Sequence, residues 1–151
     1  MTEIRFTKQQ YEDLVKMVYL GTWMVNGIRT ADDAVEKYEK LEQYILSFAN
    51  DFDFGKFVEY DAKSKKYFPN ADFEQDEELE RYRDEYDDDC FWDSLVDRLA
   101  RRDFIKTYGE DAIKRMDREE RFLKEEPFIK KYTNEVCDNG IDRISLQENT
   151  V

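Results

Sequence analysis

Histidine is absent from the 151 residues. That removes imidazole general bases, His-based triads and the nitrogen ligands that Zn, Cu and most non-haem Fe sites use. Cysteine is scarce. Cys90 and Cys137 form neither a CxxC pair nor a zinc spacing, so they are expected as two reduced thiols. The five glycines are scattered, with no GxGxxG and no GxxxxGK[ST], so a phosphate-cradling loop has no support. No apolar run approaches the roughly 18 residues of a membrane span, and Met1 to Phe6 has no export-signal pattern. The localisation expected from this is cytoplasmic.

What the chain has is charge and aromatic rings. Charged residues make up 40% and the net charge is −13, yet there are 11 Phe, 10 Tyr and 2 Trp. The low mean hydropathy, −0.90, resembles a disordered chain, but the apolar and aromatic content is enough for a core. A chain of this length is read as one domain, 1–151. The charge is uneven. The segment 70–93 carries 12 acids and 2 bases, and it holds most of the net charge. The following segment, 94–133, carries 9 acids and 11 bases. Such an acidic segment either leans on basic residues of the same fold or offers a surface to a basic partner.

The hydrophobic period is mostly helical. Thr7 with Gln10 forms a capping box for a helix from Lys8 to about Val25. From Leu14 onward that helix is apolar almost all round, which predicts a place in the core or in an oligomer contact. Thr30 is expected to cap a second helix, with Asp32 and Asp33 in its first turn. Its apolar seam would be Ala34, Tyr38, Leu41, Ile45, Phe48 and Phe52. Residues 57–68 read as a short hairpin or an ordered loop. Phe73 to Asp89 reads as an acidic helix that Asp87-Asp88-Asp89 breaks before a new helix near Cys90. A further helix is expected from Asp111, and another opened by Pro127. Ile4 and Phe6 are expected to pair with Ile144 and Leu146 as short terminal strands. The fold class is mainly α, a single-domain bundle of five or six helices with minor β.

Two stretches resemble small bacterial proteins of unknown function. They are Tyr19-Leu20-Gly21-Thr22-Trp23-Met24-Val25-Asn26, and Phe91-Trp92-Asp93-Ser94-Leu95 with Arg98-Leu99-Ala100-Arg101-Arg102-Asp103. The resemblance implies a bacterial, cytoplasmic setting and brings no named activity with it.

Three functional readings follow. The first is protein–protein contact, as a homodimer or with a basic protein, through Trp23, Trp92, Tyr82 and Tyr86 as interaction residues. Core packing is the ordinary alternative for the two tryptophans. The second is an Mg²⁺- or Mn²⁺-dependent all-α hydrolase. Its ligands would be Glu77 with Glu80 and Glu85 with Asp88, since i and i+3 share a helix face. It needs a facing pair, for which Asp32, Asp33 or Glu36 are candidates. With 37 acids in the chain, such spacings also arise by chance. The third is a DNA-mimic-like acidic inhibitor that occupies the nucleic-acid site of a basic protein. Direct nucleic-acid or membrane binding is not expected, because no basic footprint is present. Cys90 follows three aspartates, whose charge suppresses the thiolate a nucleophile needs. The balance leans against an enzyme, with no cofactor outside the hydrolase reading.

Overall fold

The computed structural model describes residues 3–145. It is mainly α. Helices α1 (Lys8–Asn26) and α2 (Glu36–Leu46) lead through two 3-10 turns to a hairpin of β1 (Val58–Asp61) and β2 (Lys66–Pro69). Then come α3 (Ala71–Glu74), α4 (Glu77–Tyr108), α5 (Glu110–Arg115) and α6 (Arg118–Asn139). The chain divides into two compact units, one up to Asp84 and one from Glu85. No helix among the described residues is long and apolar enough to cross a membrane.

In the first unit the start of α1 follows from its cap. Thr7 Oγ1 accepts from the Gln10 amide at 3.2 Å, and Gln10 Oε1 accepts from the Thr7 amide at 2.9 Å. Of the two places its composition allows, the core of its own chain takes only part of this helix. Only Tyr11 and Val15 are buried, while Met17 is 73% exposed and Met24 52%.

The second helix starts six residues later than Thr30. The Thr30 hydroxyl donates to the Asp33 carboxylate at 2.8 Å instead of capping backbone, and Asp32 and Asp33 lie in a turn. The face of α2 also differs from the expected seam. Gln43 brackets Tyr67 of β2, donating to its carbonyl at 2.8 Å and accepting from its amide at 2.7 Å. These two bonds turn Gln43, Glu42 and Leu46 inward and leave Tyr38 and Leu41 exposed. Phe52 falls in the 3-10 turn Ala49–Phe52, outside the helix.

The hairpin appears where the sequence places it. β1 and β2 pair antiparallel, from Val58 opposite Pro69 to Asp61 opposite Lys66. The Asp61 carboxylate closes the turn by accepting from the amides of Lys63 and Ser64. Tyr11, Val15, Leu46, Ala49, Phe54, Phe73 and Leu79 form the core of this unit.

The acidic segment does not break. Asp76 caps α4, accepting from the amides of Glu78 and Leu79, and the helix continues for 32 residues through Asp87-Asp88-Asp89. An aspartate inside a helix costs at most about 0.7 kcal/mol relative to alanine, well below glycine or proline. Elongating an existing helix is far cheaper than ending it and nucleating another. The Trp92 indole also donates to Asp88 at 3.0 Å one turn away, which occupies a carboxylate that could otherwise compete for backbone.

In the second unit, Val96, Ala100 and Phe104 of α4, Ile113 of α5 and Tyr132 of α6 are buried. Phe128 and Val136 of α6 pack with them. Gly109 and Gly140, both at positive φ, end α4 and α6. Pro127 does not open a helix. It lies inside α6, whose start is set upstream by Asp117 accepting from the Glu120 amide at 2.8 Å. An interior proline costs about 3 kcal/mol, and packing of Phe128, Tyr132 and Val136 on α4 holds the helix through it.

The expected terminal strands are also absent among the described residues. β1–β2 is the only sheet among the described residues, and Ile4, Phe6 and Ile144 lie in no strand. Ile144 instead donates its amide to the Ile141 carbonyl in a turn, at 2.9 Å. Leu146 lies outside the described residues. Cys90 and Cys137 are free and exposed.

Candidate functional site

The sequence-predicted residues fall in separate places. Trp23 and Tyr82 belong to the first unit, Tyr86 and Trp92 to the second. Trp23 is half-buried near the end of α1. Trp92 is half-buried, meets Phe91 edge to face at 4.9 Å and lies near Gly140. Tyr82 and Tyr86 are exposed. Tyr82 donates to Glu78 at 3.2 Å, with the Arg81 guanidinium over its ring. A hydrogen bond with the Cys90 thiol pushes the Tyr86 phenol up, and the Cys90 charge adds to it.

Glu77, Glu80, Glu85 and Asp88 are all exposed along α4. Asp88 receives the Trp92 indole, and Glu77 lines a cleft with Lys16 and Arg81. Asp33 is held by Thr30, and Glu36 by Lys40 at 2.7 Å. Among the described residues, no three acidic or thiol groups gather within reach of one ion.

Three clusters escaped the sequence reading. Lys16 of α1 lies 3.2 Å from Asp76, 3.0 Å from Glu78 and 3.5 Å from Glu12. Burial lowers the Lys16 ammonium, but its hydrogen bonds to Glu78 and Asp76 outweigh that and leave its pKa raised. The lysine thus neutralises the acidic start of α4 from within the first unit.

The second cluster joins α4 to α6. The Tyr132 hydroxyl donates to the Asp103 carboxylate, which also accepts from Arg102 at 2.9 Å and Lys131 at 3.2 Å. Arg102 donates to the Tyr132 oxygen as well, at 2.9 Å. The Tyr132 hydroxyl, then Arg102, hold the Asp103 carboxyl well below the usual carboxylate range. The partners hydrogen-bond one another, and the Tyr132–Asp103 bond ties α6 to α4. No signal in the sequence links residues 29 positions apart.

The third is Glu42 on the inner face of α2. Burial, helped by the charge of Glu39, pushes its carboxyl up to about 7 from an ordinary 4.5. A raised carboxyl favours the folded state fully below pH 4.5, and that contribution is lost as pH rises through about 7. Glu42→Gln is therefore expected to stabilise the protein at pH 8 by about 1 kcal/mol, discounting the shift for partial exposure, and to change little at pH 4. Urea denaturation at the two pH values checks this. Equal effects at both would refute it.

The remaining feature is apolar surface. On the first unit Met17 and Met24 of α1 stand exposed, as do Tyr38, Leu41 and Tyr44 of α2. A groove there is lined by Ile4, Phe6, Leu14, Tyr44 and Phe48. On the second unit Phe91 of α4 is 52% exposed and Phe122 of α6 is 64%. No protein-family model, curated protein or solved structure matches the chain.

Proposed function

We propose that this protein acts by binding protein, either a second copy of itself or a basic partner. The observation that carries the reading is the outer face of α1, where Met17 and Met24 stand in solvent on the stretch that is apolar almost all round from Leu14 onward. Large apolar side chains grouped on a surface favour a contact that removes them from water, at about 25 cal/mol per Å² buried. Tyr38, Leu41 and Tyr44 on α2 add to that apolar surface of the unit. The acidic run of α4 supplies the second part of the mechanism. Its field speeds encounter with a basic partner and disfavours acidic ones.

Met17→Lys combined with Met24→Lys tests this. Both positions are exposed, so the fold should change by no more than about 0.5 kcal/mol. In extracts of cells that make the protein, the wild type is expected to elute above its 18.3 kDa mass and the double variant closer to it. Wild type eluting at its own mass, or a variant that elutes unchanged, would contradict the reading.

A further inference from the structure

The continuity of α4 has a consequence for its outer face. Asp88, Phe91, Leu95 and Arg98 are spaced 3, 4 and 3 residues apart, which keeps them in one stripe. The opposite side of the helix carries Val96, Ala100 and Phe104 into the core of the second unit. The stripe therefore points outward. Asp88, Phe91 and Arg98 are exposed and Leu95 is half-buried.

The order along the stripe is an anion, two apolar residues, then a cation. That order is self-complementary in one direction only. Laid antiparallel about a two-fold axis at Asp93, Asp88 of one copy meets Arg98 of the other, and Phe91 meets Leu95. The axis repeats both contacts, as a two-fold interface requires. A parallel pair would set like charge against like. The groups are available for this. Trp92 uses Asp88 Oδ1 and leaves its second oxygen, and Arg98 has no ion-pair partner among the described residues. Nor can the chain satisfy the stripe by itself, because a rigid helix at 1.5 Å per residue holds Asp88 and Arg98 about 15 Å apart on one rod.

We propose that the outer face of α4 is a homodimer interface, formed by antiparallel pairing with α4 of a second copy through Asp88, Phe91, Leu95 and Arg98. This rests on the protein-binding reading and gives it a partner. Two copies at −13 repel at long range. At about 0.15 M salt that repulsion is screened beyond about 8 Å, while the facing pairs lie inside that distance.

Charge exchange tests it by sedimentation equilibrium in 150 mM salt. Asp88→Arg alone and Arg98→Asp alone each set like charges together at two places, and each is expected to weaken the dimer at least tenfold. Mixing the two single variants should restore a dimer, because both facing pairs become opposite again. The double variant Asp88→Arg/Arg98→Asp should restore it too. Phe91→Ser, which alters no charge, should weaken it as well and keeps the test decisive if a charge variant fails to fold. A wild-type dimer that none of the single variants weakens would overturn the α4 interface and leave self-association standing. A wild type that is monomeric throughout would overturn the dimer, with the elution of the Met17 and Met24 variant then deciding the broader reading.

Discussion

Replacing Phe104 by alanine is expected to cost about 4 kcal/mol of folding free energy, measured by urea denaturation at pH 7. Phe104 is fully buried in the second unit. Its ring meets Tyr108 edge to face at 5.2 Å and Phe128 at 5.8 Å, and the Arg101 guanidinium lies over it. Deleting it removes the transfer energy of a large side chain and leaves a void between α4 and α6 that rigid helices close only in part. Phe104→Leu keeps most of the volume and should cost about 1.5 kcal/mol. A loss below about 1 kcal/mol for alanine would mean that the helices do not pack around this ring.

Tyr11→Ala should cost a similar amount in the first unit, about 4 kcal/mol. Tyr11 is 2% exposed, stacks on Phe52 at 4.3 Å and donates its hydroxyl to the Ile45 carbonyl at 2.7 Å. Tyr11→Phe separates the ring from the hydroxyl. It should cost about 1–2 kcal/mol, the loss of one hydrogen bond with a carbonyl left unpaired. Burial, with the charge of Asp51 second, pushes the Tyr11 phenol up to about 12. The neutral phenol is thus the form the fold prefers. Its contribution is complete below pH 10 and is lost as pH rises towards 12. Tyr11→Phe should remove that part of the alkaline destabilisation. A variant as sensitive to alkali as the wild type would place the loss elsewhere.

The features legible in the sequence are those whose determinants sit close together. The Thr7–Gln10 capping box spans four residues, and the hairpin is set by two short apolar runs around Asp61. Both stand where the pattern puts them, as does the mainly α character. The errors arise where distant residues decide. Gln43 is turned inward by Tyr67, 24 positions away, which leaves Tyr38 and Leu41 of the apolar seam exposed while Ile45, Phe48 and Phe52 still pack on the core. Pro127 looks like a helix start, but Asp117 has already begun that helix. Asp87-Asp88-Asp89 looks like a break because propensity is local, while helix elongation is cooperative.

The same contrast governs the candidate sites. Single aromatics such as Tyr82, Tyr86 and Trp92 are visible in composition. The stripe from Asp88 to Arg98 is not, because its period counts only on a helix that runs unbroken through the aspartates. The cluster of Asp103 with Tyr132 joins two helices across 29 positions and leaves no periodic trace.

The proposed contact between two copies through the outer face of α4 is open to one direct measurement. Sedimentation equilibrium of the purified wild-type chain, from about 2 to 200 μM in 150 mM salt, spans the affinities expected of a modest interface. The predicted result is a weight-average mass that rises from 18.3 kDa towards twice that value as concentration increases. A mass that stays at 18.3 kDa over the whole range would contradict the contact between two copies.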